Sequence, residues 1–145
     1  MMPFNLLLLK AFHAQKNHIR PLMAAIGLSP GQPKVLSFLA VHQECLQKDL
    51  AAACDIEPPT VSRMLDNLEK KQLIVRSAPA DDRRALTVKL TPAGRKLVYD
   101  EILPRYNSVN AISMRGLSEE EQRIFRKLLN RMYRNLTGND VEDAL

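Results

Sequence analysis

Thr60, Ser62, Arg63 and Asn67 lie close together and supply the side-chain types that read a nucleic-acid duplex. Hydroxyls bind phosphates or bases, an arginine can fork onto guanine O6 and N7, and an asparagine amide can pair with adenine. On a helix, Thr60, Arg63 and Asn67 share one side, with Ser62 and Asp66 beside them. The plainer reading of this stripe is the solvated face of an ordinary amphipathic helix. A second set follows at Asp82, Arg83 and Arg84, in a polar loop between two apolar runs. A narrow minor groove has enhanced negative potential and attracts inserted arginine. Asp82 is placed to orient one arginine by a fork-type contact. The plainer reading here is a surface loop in which Asp81 and Asp82 cancel Arg83 and Arg84. Charge distribution weighs between these readings. The chain has 21 Lys and Arg against 16 Asp and Glu, a formal net charge of +5. Residues 57–96 hold nine Lys and Arg against five Asp and Glu, a net +4. Most of the excess charge therefore sits on the segment that carries both sets, which favours a phosphate-facing surface.

Other chemistries are poorly supplied. An enzyme needs a nucleophile with its base, a carboxylate pair in a cleft, or a metal. The three histidines form no evident triad, and no G-x-x-x-x-G-K-[ST], G-x-G-x-x-G, H-E-x-x-H or G-x-S-x-G motif is present. His42, Glu44, Cys45 and Cys54 are metal-capable types, but His42-x-x-Cys45 lacks a second tight pair, so no metal or other cofactor is expected. A redox-sensing thiol needs nearby positive charge. Lys48 is the cation nearest Cys45 in sequence, and Cys54 reads as a small buried hydrophobe. Two cysteines cannot build a disulfide framework, so a reducing cytoplasm is the simplest setting. The longest strong apolar run, Leu6 to Leu9, is far short of the roughly 18–20 residues of a membrane span. It also lacks the flanks of a secretion signal, so no membrane partner is expected.

The elements that must position these residues follow from periodicity. With 145 residues, 46% apolar and 26% charged, the chain reads as one ordinary globular domain. Phe4 to Ile26 has helical spacing at Leu8, Phe12, Ile19, Leu22 and Ile26, and Pro21 is expected to kink or interrupt it near Arg20. Its four-leucine block covers more than one face, so a partner chain is the economical cover. The next helix starts either from a Ser29–Gln32 capping box with Pro30 in the first position, or at Pro33. Leu46 to Ala53 is a short helix and Cys54-Asp55-Ile56 a turn. Thr60 to Leu73 is a second helix, with Pro59 in its first position and Val61, Met64 or Leu65, and Leu68 inward. Ala51 or Ala52 would let the two helices approach, which is the layout of a helix-turn-helix. Two hairpin strands follow, Leu73–Val75 and Leu86–Leu90, around the loop Ser77–Arg84. Thr91 caps a long helix from Ala93 towards Arg115, bent at Pro104. Ser118 and Glu121 form a capping box for a last amphipathic helix through Phe125, Leu128, Leu129, Met132 and Leu136. Gly138 ends it, and residues 139–145 are expected to fray.

The run Thr60-Val61-Ser62-Arg63-Met64-Leu65-Asp66-Asn67-Leu68-Glu69-Lys70-Lys71, then Asp82-Arg83-Arg84, then Leu90-Thr91-Pro92-Ala93-Gly94, resembles the MarR-type winged-helix transcriptional regulators. The helix order is similar over essentially the whole chain. One departure is Gln72, where the family usually has glycine; a left-handed cap there would cost glutamine about 1 kcal/mol.

The resemblance implies a mostly α fold with a small β-hairpin wing. Residues 1–145 would form a single domain, with the winged helix-turn-helix at 30–92 and dimerisation helices at 1–27 and 93–138. It implies a homodimer that binds an inverted repeat in double-stranded DNA, most simply as a repressor. Positions Thr60, Ser62, Arg63 and Asn67 would face the major groove, Asp82 and Arg84 would belong to the wing, and Arg83 would contact at its tip. A small lipophilic anion is the effector class the resemblance suggests, with Lys16 and Arg20 meeting its charge and Phe12 and Phe38 its apolar part. The plainer reading is that both phenylalanines are core and both cations merely solvated. Alternatives are a redox- or metal-responsive regulator of the same fold, or a protein-interaction adaptor that has lost DNA affinity. An adaptor would have no need of the basic wing.

Overall fold

The computed structural model describes residues 1–140. Its elements run α1 (Phe4–Ala24), α2 (Gln32–His42), β1 (Glu44–Leu46), α3 (Gln47–Ala53), α4 (Pro58–Lys70), β2 (Ile74–Ser77), β3 (Thr87–Leu90), α5 (Pro92–Leu97), α6 (Leu103–Ser113) and α7 (Glu119–Thr137). The expected class, mostly α with a small β wing, is what the chain adopts. The sheet has a third strand that the sequence did not announce. β1 pairs antiparallel with β3, placing Cys45 opposite Val88, and β2 pairs on the other side, giving the order β1-β3-β2. Three residues are too few to display a period of two, so β1 owes its conformation to its partner.

Prolines account for most of the other differences. Pro21 does not interrupt α1, which continues to Ala24. One helical bond is lost, the N–H that would reach the Asn17 carbonyl, while the Pro21 carbonyl still accepts from Ala25 N–H at 3.0 Å and the helix carries on. Gly27 then turns left-handed at φ +79°, and the Leu28 N–H reaches back to the Met23 carbonyl at 3.0 Å. α2 begins at Gln32, between the two expected starts, after a left-handed Gly31. α4 begins at Pro58 rather than Pro59. A first-turn N–H has no helical acceptor in any case, so two successive prolines are tolerated there. The long helix around Pro104 is not a single α-helix with a bend. Between α5 and α6, Val98–Ile102 winds as a π-helix, and the Leu103 N–H bonds the Val98 carbonyl five residues back. The proline ring crowds the carbonyl one turn earlier, and the wider turn accommodates it.

The backbone contacts divide into two units, one over Met1–Val109 and one from Asn110 onward. The first contains a core of Leu36 and Leu39 from α2, Leu50 from α3, Leu65 and Leu68 from α4, Ile74 and Val88 from the sheet, and Val98 and Ile102. Of the two inward candidates on α4, Leu65 is fully buried and Met64 packs at the edge. In contrast, α1 leaves Phe4, Leu6, Leu7, Leu8, Leu9 and Phe12 exposed. In the second unit, α7 starts with the expected capping box: Ser118 Oγ accepts from Glu121 N–H, and the Glu121 carboxylate accepts from Ser118 N–H. Ile124, Phe125, Leu128, Leu129 and Leu136 on α7 are exposed. Gly138 ends the helix left-handed, as expected. Of the tail expected to fray, 141–145 lie outside the described residues, while Asp140 pairs with Arg134.

Candidate nucleic-acid interface

The turn between α3 and α4 is built by Asp55, which takes a left-handed φ of +53°. The Ile56 N–H reaches the Ala51 carbonyl at 3.1 Å, and Lys34 Nζ donates to the Cys54 carbonyl at 2.6 Å. Of the two alanines that could seat the helices, Ala51 is buried and Ala52 exposed. Val61, Leu65 and Leu68 anchor α4 in the core. That burial rotates Thr60, Arg63 and Asn67 outward into solvent, with Ser62 half-buried beside them. The expected face is therefore assembled as a face. Arg63 makes no ion pair among the described residues. Asn67 is not free-standing: its Oδ1 accepts from Gln32 Nε2 at 2.9 Å.

α4 is tied to the wing by Arg76 of β2. Its guanidinium pairs with Asp66 and, at 3.2 Å, with Glu69, while its backbone N–H donates to Glu69 Oε2 at 3.0 Å. Asp66 is thus engaged by the wing strand although it stays exposed. The wing tip departs from expectation in one contact. Asp82 does not fork onto a guanidinium; its Oδ1 accepts the Arg84 backbone N–H at 2.8 Å and caps a 3-10 turn over Arg83–Ala85. A short carboxylate reaches the N–H two residues on more readily than the end of a long side chain. Arg83 and Arg84 are exposed, and no ion pair joins them to Asp81 or Asp82 among the described residues. The loop does not cancel itself, and both guanidinium groups remain available to a polyanion.

The base of the wing is fixed by backbone groups and the Thr91 hydroxyl. Thr91 N–H donates to the Leu73 carbonyl at 3.1 Å, Thr91 Oγ1 donates to the Gln72 carbonyl at 2.7 Å, and Gly94 N–H donates to Thr91 Oγ1 at 3.0 Å. A Cβ on Gly94 would lie 2.1 Å from the Leu73 oxygen, so only glycine lets α5 approach the end of α4 this closely. Gln72 does take the left-handed cap, at φ +60°, with Leu73 N–H bonded to the Leu68 carbonyl at 3.0 Å.

The four residues expected to hold an effector lie on α1 and α2. Phe38 is 9% exposed, belongs to the core and stacks on His42 with ring centres 4.1 Å apart. Its place is set by the inward face of α2. Phe12 and Lys16 form a pair on α1, the ammonium 5.3 Å from the ring centre, and Arg20 is exposed one turn on. A hollow on α1 is lined by Leu6, Leu9, Lys10, His13, Ala14 and Asn17, none of them in that set. Burial, then Asp49 and Glu44, push the Cys45 thiol up; burial raises Cys54 to about 11 against the lowering effect of Lys34. Carboxylates rather than Lys48 dominate the field at Cys45. Among the described residues no three His, Cys, Asp or Glu side chains gather as metal ligands, and no helix is long and apolar enough to cross a membrane. Gln32 is the neighbour of this face that sequence reasoning missed. It was legible only as a cap, because its contact with Asn67 spans 35 residues.

The family model described as MarR family matches residues 28–86. The solved structure of the transcriptional regulator PA3341 is 34% identical at a TM-score of 0.81, covering 94% of this chain and 100% of that one. The chain belongs to the MarR family. Two further likenesses span nearly its whole length. FarR of Neisseria gonorrhoeae, a helix-turn-helix transcriptional regulator, is 28% identical over 97% of this chain and 92% of its own. MepR of S. aureus, solved as a DNA complex, is 29% identical at a TM-score of 0.82, over 93% of this chain and 99% of that one. Like its relatives, this MarR-family chain is a transcriptional regulator with a winged helix-turn-helix.

Proposed function

We propose that the chain is a homodimeric repressor that occupies an inverted repeat in double-stranded DNA and performs no covalent chemistry. Thr60, Ser62, Arg63 and Asn67 of α4 enter the major groove, while Arg83 and Arg84 at the wing tip enter the minor groove. Asp82 shapes that tip. The observation that carries this reading is the state of the cations: Arg76, on wing strand β2, is neutralised by two carboxylates, whereas Arg63, Arg83 and Arg84 are exposed and make no ion pair among the described residues. Residues 30–92 are the DNA-binding part. Residues 1–27 and 93–138 are the dimerisation helices, an assignment supported by the exposed apolar side chains of α1 and α7. Residues 1–145 then act as one functional domain in the cytoplasm. Release by a small lipophilic anion is supported by the likeness to NadR, 27% identical and solved in complex with 4-hydroxyphenylacetate. The effector set is Phe12, Lys16, Arg20 and Phe38, with Phe38 contributing from the core side.

The test is fluorescence anisotropy on duplexes selected from the source genome. Binding weakens steeply with salt, by about 10³–10⁵-fold between 50 and 200 mM for six to ten phosphate contacts. Arg63→Ala costs about 1–3 kcal/mol and relaxes base preference. Arg84→Ala weakens binding with less loss of major-groove discrimination. No retained duplex at roughly 50 mM salt overturns the proposal in favour of an adaptor.

A further inference from the structure

A hydrogen-bonded relay leads from α2 to the reading face, and its chemistry permits one direction only. The Ser29 backbone N–H can only donate, and it meets Gln32 Oε1 at 3.0 Å. The other end of that carboxamide is therefore the NH2, which donates to Asn67 at 2.9 Å. The receiving atom of Asn67 must then be Oδ1. A side-chain amide does not reveal its polarity by shape, but a backbone donor two steps away fixes it here. Gln32 is 3% exposed, so water does not compete for either of its bonds. Asn67 is exposed on the outer side of α4, and Nδ2 is the end of its amide without a hydrogen-bond partner among the described residues.

We propose that Gln32 is a positioning residue for DNA recognition, which fixes the polarity of Asn67 so that Nδ2 is offered to an acceptor on the duplex. The acceptor is a purine edge atom or a phosphate oxygen. Gln32 itself touches no DNA. The inference rests on the DNA-binding reading above and adds to it a specificity determinant outside both the recognition helix and the wing.

Gln32→Glu tests it, because the substitution keeps the shape and reverses the polarity. When ionised, one carboxylate oxygen accepts from Ser29 and the other can only accept, so Asn67 turns Nδ2 inward and Oδ1 outward. A protonated carboxyl would instead donate to Oδ1 as the amide does, so binding is measured at alkaline pH, where the carboxylate form holds. Affinity is measured for duplexes that the wild-type chain selects from a randomised library. The proteins are the wild type, Gln32→Glu, Asn67→Ala and the double variant, each checked for a cooperative melt. The expected result is a loss of about tenfold or more for Gln32→Glu beside Asn67, and less than about twofold beside Ala. Should Gln32→Glu not fold, Gln32→Met, which removes the relay without a charge, must show the same dependence on Asn67. A change of base preference in Asn67→Ala assigns the acceptor to a base edge; a uniform loss across sequences assigns it to phosphate. Equal losses with and without Asn67 overturn the positioning role while leaving DNA binding intact. A wild-type chain that selects no duplex overturns both.

Discussion

Gln72→Gly is expected to stabilise the protein by about 1 kcal/mol. The residue holds φ +60° at the end of α4, a conformation that costs an L-amino acid roughly 1–2 kcal/mol. Glycine removes that strain, and gives back about 0.4–1 kcal/mol through the greater freedom of its unfolded chain. Nothing else is lost. The Gln72 side chain is exposed and makes no hydrogen bond among the described residues, and the bond from Thr91 Oγ1 goes to its backbone carbonyl at 2.7 Å. For a chain of this size the gain raises Tm by roughly 2–4 °C. The assay is thermal and urea denaturation at one fixed protomer concentration, since a dimer's apparent stability depends on it. Gln72→Ala is the control, because alanine carries the same left-handed strain and should stay within about 0.5 kcal/mol of wild type. If glycine and alanine behave alike, the strain assigned to this cap is absent and the reasoning fails.

Gly94→Ala should act in the opposite sense at the same junction. Its methyl would sit 2.1 Å from the Leu73 oxygen, so the wing base must shift at a cost of about 1–3 kcal/mol, read by urea denaturation. Cys54 makes stability pH-dependent on the alkaline side. Its thiol ordinarily titrates at 9.0 but is raised to about 11 in the fold, so between these values the unfolded chain binds fewer protons. Stability present below pH 9 is then lost as pH rises towards 11, by about 1.4 kcal/mol per pH unit. Comparing urea midpoints of wild type and Cys54→Ala across that window isolates the contribution; parallel curves would refute it. Leu128→Glu, on the exposed apolar side of α7, should shift the chain to monomer in light scattering and abolish tight DNA binding. A dimer that persists removes α7 from the interface.

Amphipathic period and cap chemistry were enough to locate α3, α4, the wing and α7. These signals are local: Val61, Leu65 and Leu68 recur at helical spacing, Thr91 precedes Pro92, and Ser118 stands three residues before Glu121. Burying one side of α4 exposes the other, so the outward side of Thr60, Arg63 and Asn67 followed from the sequence alone. Contacts between distant segments decided the rest. β1 exists because β3 offers it an edge. Asn67 has a polarity because Gln32, 35 residues earlier, is held by Ser29. Phe38 went inward because α2 buries the face that carries it, and Gly94 is required because the Leu73 carbonyl, from the turn between α4 and β2, lies against it. Sequence spacing specifies which side chains share a face; it does not specify which atoms from elsewhere in the chain will meet that face. Those meetings set the hydrogen-bond directions and the close approaches.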